Sequence, residues 1–111
     1  MLGDFTRMPS DTAKILSHIP NSGIVQLPGR QFPGIVMQGD TLSNVFDSAQ
    51  FLLAEFRRLR DEDRYYETLM FAEQLQAQLL HYEETLERQG MQLPYTVSVR
   101  QRLVSDDYDV A

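Results

Sequence analysis

The side chains whose type and spacing could do chemistry concentrate in one stretch, Leu27-Pro28-Gly29-Arg30-Gln31-Phe32-Pro33-Gly34-Ile35-Val36-Met37-Gln38-Gly39-Asp40. Arg30 sits inside a glycine-proline turn, where a guanidinium on a rigid loop can grip a carboxylate or phosphate through two parallel hydrogen bonds. The bland alternative is a structural clamp, with Asp40 or a backbone carbonyl accepting the same group. Gln38 and Asp40 flank Gly39 at the mouth of an expected helix and could present an amide and a carboxylate to a ligand. The competing reading has Asp40 as an N-cap and Gln38 as the end of a strand. Acid–base catalysis by Asp40 would need a second positioned group, and no other carboxylate lies close to it in sequence.

Other chemistries find little support. No phosphate-binding GxxxxGK[ST] or post-strand GxGxxG pattern occurs, and no GxSxG marks a serine nucleophile. His18 and His81 are solitary, and cysteine is absent. The usual zinc sets are therefore missing, as are thiolate nucleophiles and disulfides, so neither a metal nor a cofactor is expected. A formal net charge of −6 argues against a dedicated nucleic-acid binder, since neutralising phosphates takes clustered Lys and Arg, and it suits a basic protein partner better. No apolar run approaches the roughly 18 residues of a membrane span, and the N-terminus lacks a basic region leading into a hydrophobic one. A cytoplasmic protein without a membrane partner is expected.

The elements that must position these groups follow from periodicity. With 111 residues one domain is expected over 1–111, with 1–9 as a lead-in and the acidic stretch 104–111 as a flexible tail. Residues 10–19 fit either a short helix capped by Ser10 or a strand in which Ile15, Ser17 and Ile19 alternate, and the extended form is preferred. Pro20-Asn21-Ser22-Gly23 is turn chemistry, Gly23 to Leu27 a strand, and Pro28-Gly29 the centre of a type II turn. Phe32 to Gln38 reads as a second strand entered at Pro33. Leu42, Val45, Phe46, Ala49, Leu52, Leu53, Phe56 and Leu59 then follow the spacing of one helical face.

Arg57, Arg58 and Arg60 followed by Asp61, Glu62 and Asp63 reverse the charge where one helix ends and the next begins. The second helix, from about Glu62 to about Gln89, carries Tyr65, Ala72, Leu79 and Leu86 at intervals of seven, with Leu69, Leu75 and Tyr82 between them. Met70, Phe71 and Leu80 widen that stripe, which leaves room for a homodimer. Gly90 ends the helix, and the alternation of Tyr95, Val97 and Val99 predicts a last half-buried strand. The aromatic side chains Tyr65, Tyr66, Phe71, Tyr82 and Tyr95 are read as core and rim of the helical pair.

The segments Leu27-Pro28-Gly29-Arg30, Phe32-Pro33-Gly34 and Gln38-Gly39-Asp40-x-Leu42, closing with Gly90-x-x-Leu93-Pro94-Tyr95 after a helical pair, resemble a family of small bacterial proteins with an LPGRxFPGxxxQGDxL segment. The likeness runs from about Ile24 to Tyr95. It implies no activity. Small acidic proteins of this kind include immunity proteins and antitoxins paired with a secreted toxin, an analogy of class alone.

The expected fold is α+β: a small antiparallel sheet of two to four strands packed on a long, antiparallel two-helix hairpin. The first functional expectation is a protein-interaction module, most concretely an immunity- or antitoxin-type inhibitor of a bacterial toxin with a basic surface. Arg30 and Phe32 would anchor it and Asp61, Glu62 and Asp63 would add charge. The alternative is a small-ligand-binding or enzymatic domain with Arg30, Gln38 and Asp40 around one pocket.

Overall fold

The computed structural model describes residues 12–109. The expected lead-in 1–9 lies outside the described residues, as do Ser10 and the last two residues of the chain. The fold class is α+β, with a three-stranded antiparallel sheet and two long helices. The chain divides into two compact units, one up to Gln38 and one from Gly39 onward.

The first unit holds β1 (Lys14–Ser17), β2 (Gly23–Gln26) and β3 (Gly34–Val36), in that spatial order. The ambiguous stretch before residue 20 is thus extended. Ile15 pairs with Val25 and Ser17 with Ile24, so Leu16 is bulged out of register. Ile24 pairs with Ile35 across the other side of β2. Each connection carries proline at the first central position of a turn: Asn21 takes φ 62° after Pro20 and Gly29 takes φ 78° after Pro28. The turns are closed by Ser22 N–H to the Ile19 carbonyl at 3.0 Å and Arg30 N–H to the Leu27 carbonyl at 3.3 Å. Proline presets the first central residue, and positive φ at the second completes the type II pattern.

The second unit is built on α1 (Gly39–Arg58) and α2 (Glu62–Arg88), which pack against each other through a three-residue corner. Two long helices joined so tightly must run antiparallel. Phe46, Ala49 and Leu53 of α1 meet Tyr65, Leu69, Ala72 and Leu79 of α2 in one buried core, which Val99 completes. Both helices end in the same way. Asp61 N–H reaches back to the Phe56 carbonyl (2.9 Å) and Arg60 N–H to that of Arg57 (3.1 Å), while Met91 and Gly90 repeat the pair on Leu86 and Glu87. This is the Schellman arrangement, and its left-handed residue is Gly90 in one helix but Arg60, at φ 58°, in the other.

Two expectations are corrected here. Helix α1 starts at Gly39, so Asp40 stands in the first turn and is not the residue before it; its carboxylate accepts from the Thr41 N–H at 2.8 Å and still complements the helix dipole. The alternation of Tyr95, Val97 and Val99 does not become a strand. Ser98 instead caps a 3₁₀ turn over Val99–Gln101, because the Val99 N–H that a ladder would use donates to Glu83.

Gly39 has a packing reason to be glycine. It is buried, and a Cβ at this position would run into the ring of Tyr82 on α2. Gly39→Ala is therefore expected to destabilise by about 1–2 kcal/mol, the usual penalty of an overpacked contact, and most of that loss should vanish in the double variant with Tyr82→Ala. Urea unfolding of the four proteins checks it.

Candidate functional site

The turn between β2 and β3 is braced from within. The Gln26 side-chain amide donates to the Arg30 carbonyl at 2.5 Å and to the Leu27 carbonyl at 3.4 Å, so the turn from 27 to 30 is held at both ends by one residue of the neighbouring strand. Arg30 projects from this braced turn and Phe32 stands two residues past it, both exposed, with Phe32 at 74 % of its full accessibility. Among the described residues Arg30 makes no ion pair. Ile35, Val36 and Met37 continue the exposed apolar surface beyond the turn, and no described residue of the first unit is fully buried. A three-stranded sheet this short has little core of its own, so its side chains are available for contact.

Gln38 is not gathered with Arg30. It lines a shallow cavity of about 220 Å³ on the sheet with Ile15, His18, Ile19, Pro20 and Val36, and neither Arg30 nor Phe32 reaches that lining. Asp40 belongs to the second unit. Asp61, Glu62 and Asp63 do lie together at the start of α2. Asp61 is engaged there: it caps the helix by accepting the Arg64 N–H at 3.1 Å, and it pairs with the Arg64 guanidinium at 2.6 Å. Those bonds, the side-chain one foremost, hold its carboxyl below the ordinary range. Glu62 and Asp63 remain exposed.

The most connected polar group was missed by sequence reasoning. Glu83 is 2 % exposed on the inner face of α2, and its carboxylate accepts from the Tyr95 hydroxyl (2.8 Å), the Ser98 hydroxyl (2.6 Å) and the Val99 N–H (2.8 Å). Burial alone would raise its pKa, but these donors outweigh burial and hold the carboxyl below its usual value. The Tyr95 phenol moves the opposite way, pushed up by burial and by donation to a carboxylate. Residues 95–109, whose end was read as a tail, lie along the helical pair through further contacts. Arg102 stacks between the rings of Phe46 and Tyr95 and reaches Asp47 (2.6 Å) and the Ser43 hydroxyl (2.5 Å). Asp107 accepts from the Tyr65 hydroxyl (2.9 Å) and pairs with Arg57 (2.9 Å), and Tyr108 packs edge-on against Tyr65.

A signal for this cluster existed. Leu69, Gln76 and Glu83 fall at intervals of seven, which puts an amide and a carboxylate on the face that the apolar residues assign to the interior. A charged side chain at such a position needs partners, and the segment after Pro94 offers donors in Tyr95 and Ser98.

Among the described residues no group of His, Asp and Glu is arranged to hold a metal ion, and no helix is long and apolar enough to cross a membrane. A family model described as "Family of unknown function (DUF6959)" matches residues 8–95. No curated protein and no solved structure matches the chain.

Proposed function

Since the chain belongs to this family of unknown function, and membership brings no activity with it, we propose from its exposed surface that it is a protein-interaction module. The observation that carries the reading is Phe32 standing 74 % exposed two residues past a turn, ending at Arg30, that proline, Gly29 and Gln26 hold in one shape. Aromatic and arginine side chains dominate interface energetics, and a loop already fixed in its bound form loses little entropy on docking. Exposed Glu62 and Asp63 and the net charge of −6 favour a basic partner surface. The most concrete form is an immunity- or antitoxin-type inhibitor whose turn enters a basic groove on a bacterial toxin.

Affinity capture from the source cells, joined to a toxicity-rescue assay with any toxin recovered, tests this. Phe32→Ala is expected to weaken the complex by roughly tenfold or more, since a central aromatic anchor contributes at least that much. Arg30→Ala should weaken it as well. Neither change should move the thermal midpoint, because both side chains are exposed. Failure to capture a partner, with no rescue by the purified chain, removes the reading.

A further inference from the structure

The segment after Pro94 is held in an unusual way: polar side chains set at helical repeat spacing grip its backbone at four points and its Arg102 side chain at a fifth. On α1, Ser43, Gln50 and Arg57 recur every seven residues. The Ser43 hydroxyl receives Arg102, the Gln50 amide donates to the Arg102 carbonyl at 2.7 Å, and the Arg57 guanidinium donates to the Asp107 carbonyl at 3.3 Å. On α2, Gln76 and Glu83 are likewise seven apart. The Gln76 carbonyl oxygen accepts the Val104 N–H at 2.7 Å, and Glu83 accepts the Val99 N–H. Tyr65 adds a hydroxyl that accepts the Asp107 N–H at 3.3 Å. Gln50 and Arg57 on one helix and Gln76 and Glu83 on the other thus bond the main chain of a segment that has no strand neighbour, while Ser43 takes the Arg102 side chain.

Such rows suit a groove that takes an extended peptide, because main-chain bonds supply affinity while a few side-chain pockets supply selectivity. The pockets here take Val99, fully buried, Arg102 over the ring of Phe46, and the pair Asp107 and Tyr108 at the Arg57 and Tyr65 end. A surface cleft of about 150 Å³ runs beside Leu103, Val104 and Ser105, bounded by Gln50, Leu53 and Tyr65. The segment also lies past the residues that the family model matches.

We propose that the groove of the helical pair is a receptor for an extended peptide, and that residues 98–108 occupy it in cis as an exchangeable strap. A competing ligand carries the strap's own pattern: a branched apolar residue, arginine three positions on, an apolar residue two further, then an acidic residue followed by tyrosine. This surface is separate from the turn at Arg30 and Phe32, and the inference stands without the interaction proposed there.

The test uses the full chain with a protease site placed at exposed Met91 and Gln92 and cut after folding, so that the strap is severed but present. A fluorescent peptide of residues 94–109 is expected to exchange into the cut protein at one per chain while the helical circular dichroism persists. Peptides carrying Arg102→Ala or Val99→Asp should bind roughly tenfold to a hundredfold more weakly. Uncut protein should take up little peptide, because the tethered strap competes at an effective concentration on the order of millimolar. Loss of helicity as the fragment departs would overturn the proposal, since the strap would then be core. A fragment that never exchanges, or peptides that bind equally well without their anchors, would overturn it too.

Discussion

Replacing Glu83 with alanine is expected to loosen the whole segment after Pro94, and it has the largest effect among the polar substitutions. The carboxylate is the acceptor for the Val99 N–H, and it also takes the hydroxyls of Tyr95 and Ser98. A buried donor left without a partner costs about 1–3 kcal/mol, and Val99 is fully buried while the two hydroxyls can partly turn to water, so the loss should be about 3 kcal/mol. Hydrogen exchange at the Val104 amide, which Glu83 does not touch, is the cleanest readout; it should quicken by roughly a hundredfold. Glu83→Gln keeps one acceptor oxygen and should lose much less. The same carboxylate gives the attachment a pH dependence whose sign is fixed. Glu83 and Asp107 are both held below their ordinary values of 4.5 and 3.8. A carboxyl depressed on folding contributes stability that is complete above its unfolded value and is lost as the pH falls through the folded one. Attachment should therefore be whole above about pH 4.5 and weaken below it, and Glu83→Gln should flatten that dependence. An exchange rate at Val104 unchanged by Glu83→Ala would show that the segment is held elsewhere.

What the sequence made legible and what it hid divide along a physical line. Helices α1 and α2 were readable to within about two residues because their apolar faces repeat over many turns and because charge reverses at the corner. The strands were readable from short apolar runs between proline-led turns, since Pro28-Gly29 dictates backbone geometry locally. Gly39 was visible as a motif residue, but its reason, the ring of Tyr82, lies more than forty positions away. The segment 95–109 was misread for the same reason. Alternation at Tyr95, Val97 and Val99 is a local pattern, and it was overridden by a buried carboxylate sixteen residues before Val99 whose need for donors no local pattern expresses. The acidic composition after Ser105 suggested solvation, yet Asp107 and Tyr108 found Arg57 and Tyr65. Of the candidate binding residues, Arg30 and Phe32 share one loop as the spacing implied. Gln38 faces a different cavity, and Asp61 is occupied with capping.

Arg102→Ala tests whether stacking or charge holds the middle of the segment, and the expected loss is about 2 kcal/mol. Beside the bond to the Ser43 hydroxyl, three contributions compete. The pair with Asp47 is short, but the Asp47 side chain is 59 % exposed, and an ion pair so open to solvent contributes about 1 kcal/mol or less. Stacking over Phe46 and Tyr95, at 5.4 and 5.3 Å from their centroids, adds about 1 kcal/mol in a largely desolvated site, and burial of the aliphatic stem adds a similar amount. Against these stands the buried Nε, which has no hydrogen-bond partner among the described residues and whose desolvation returns part of the gain when the side chain is removed. Packing therefore outweighs charge. Asp47→Ala should cost well under half of what Arg102→Ala costs, and Arg102→Lys, which keeps the charge but loses the flat face, should fall closer to alanine than to arginine. Urea unfolding of the three variants decides it: equal losses for Asp47→Ala and Arg102→Ala, with lysine as good as arginine, would assign the anchor to the ion pair and not to the two rings.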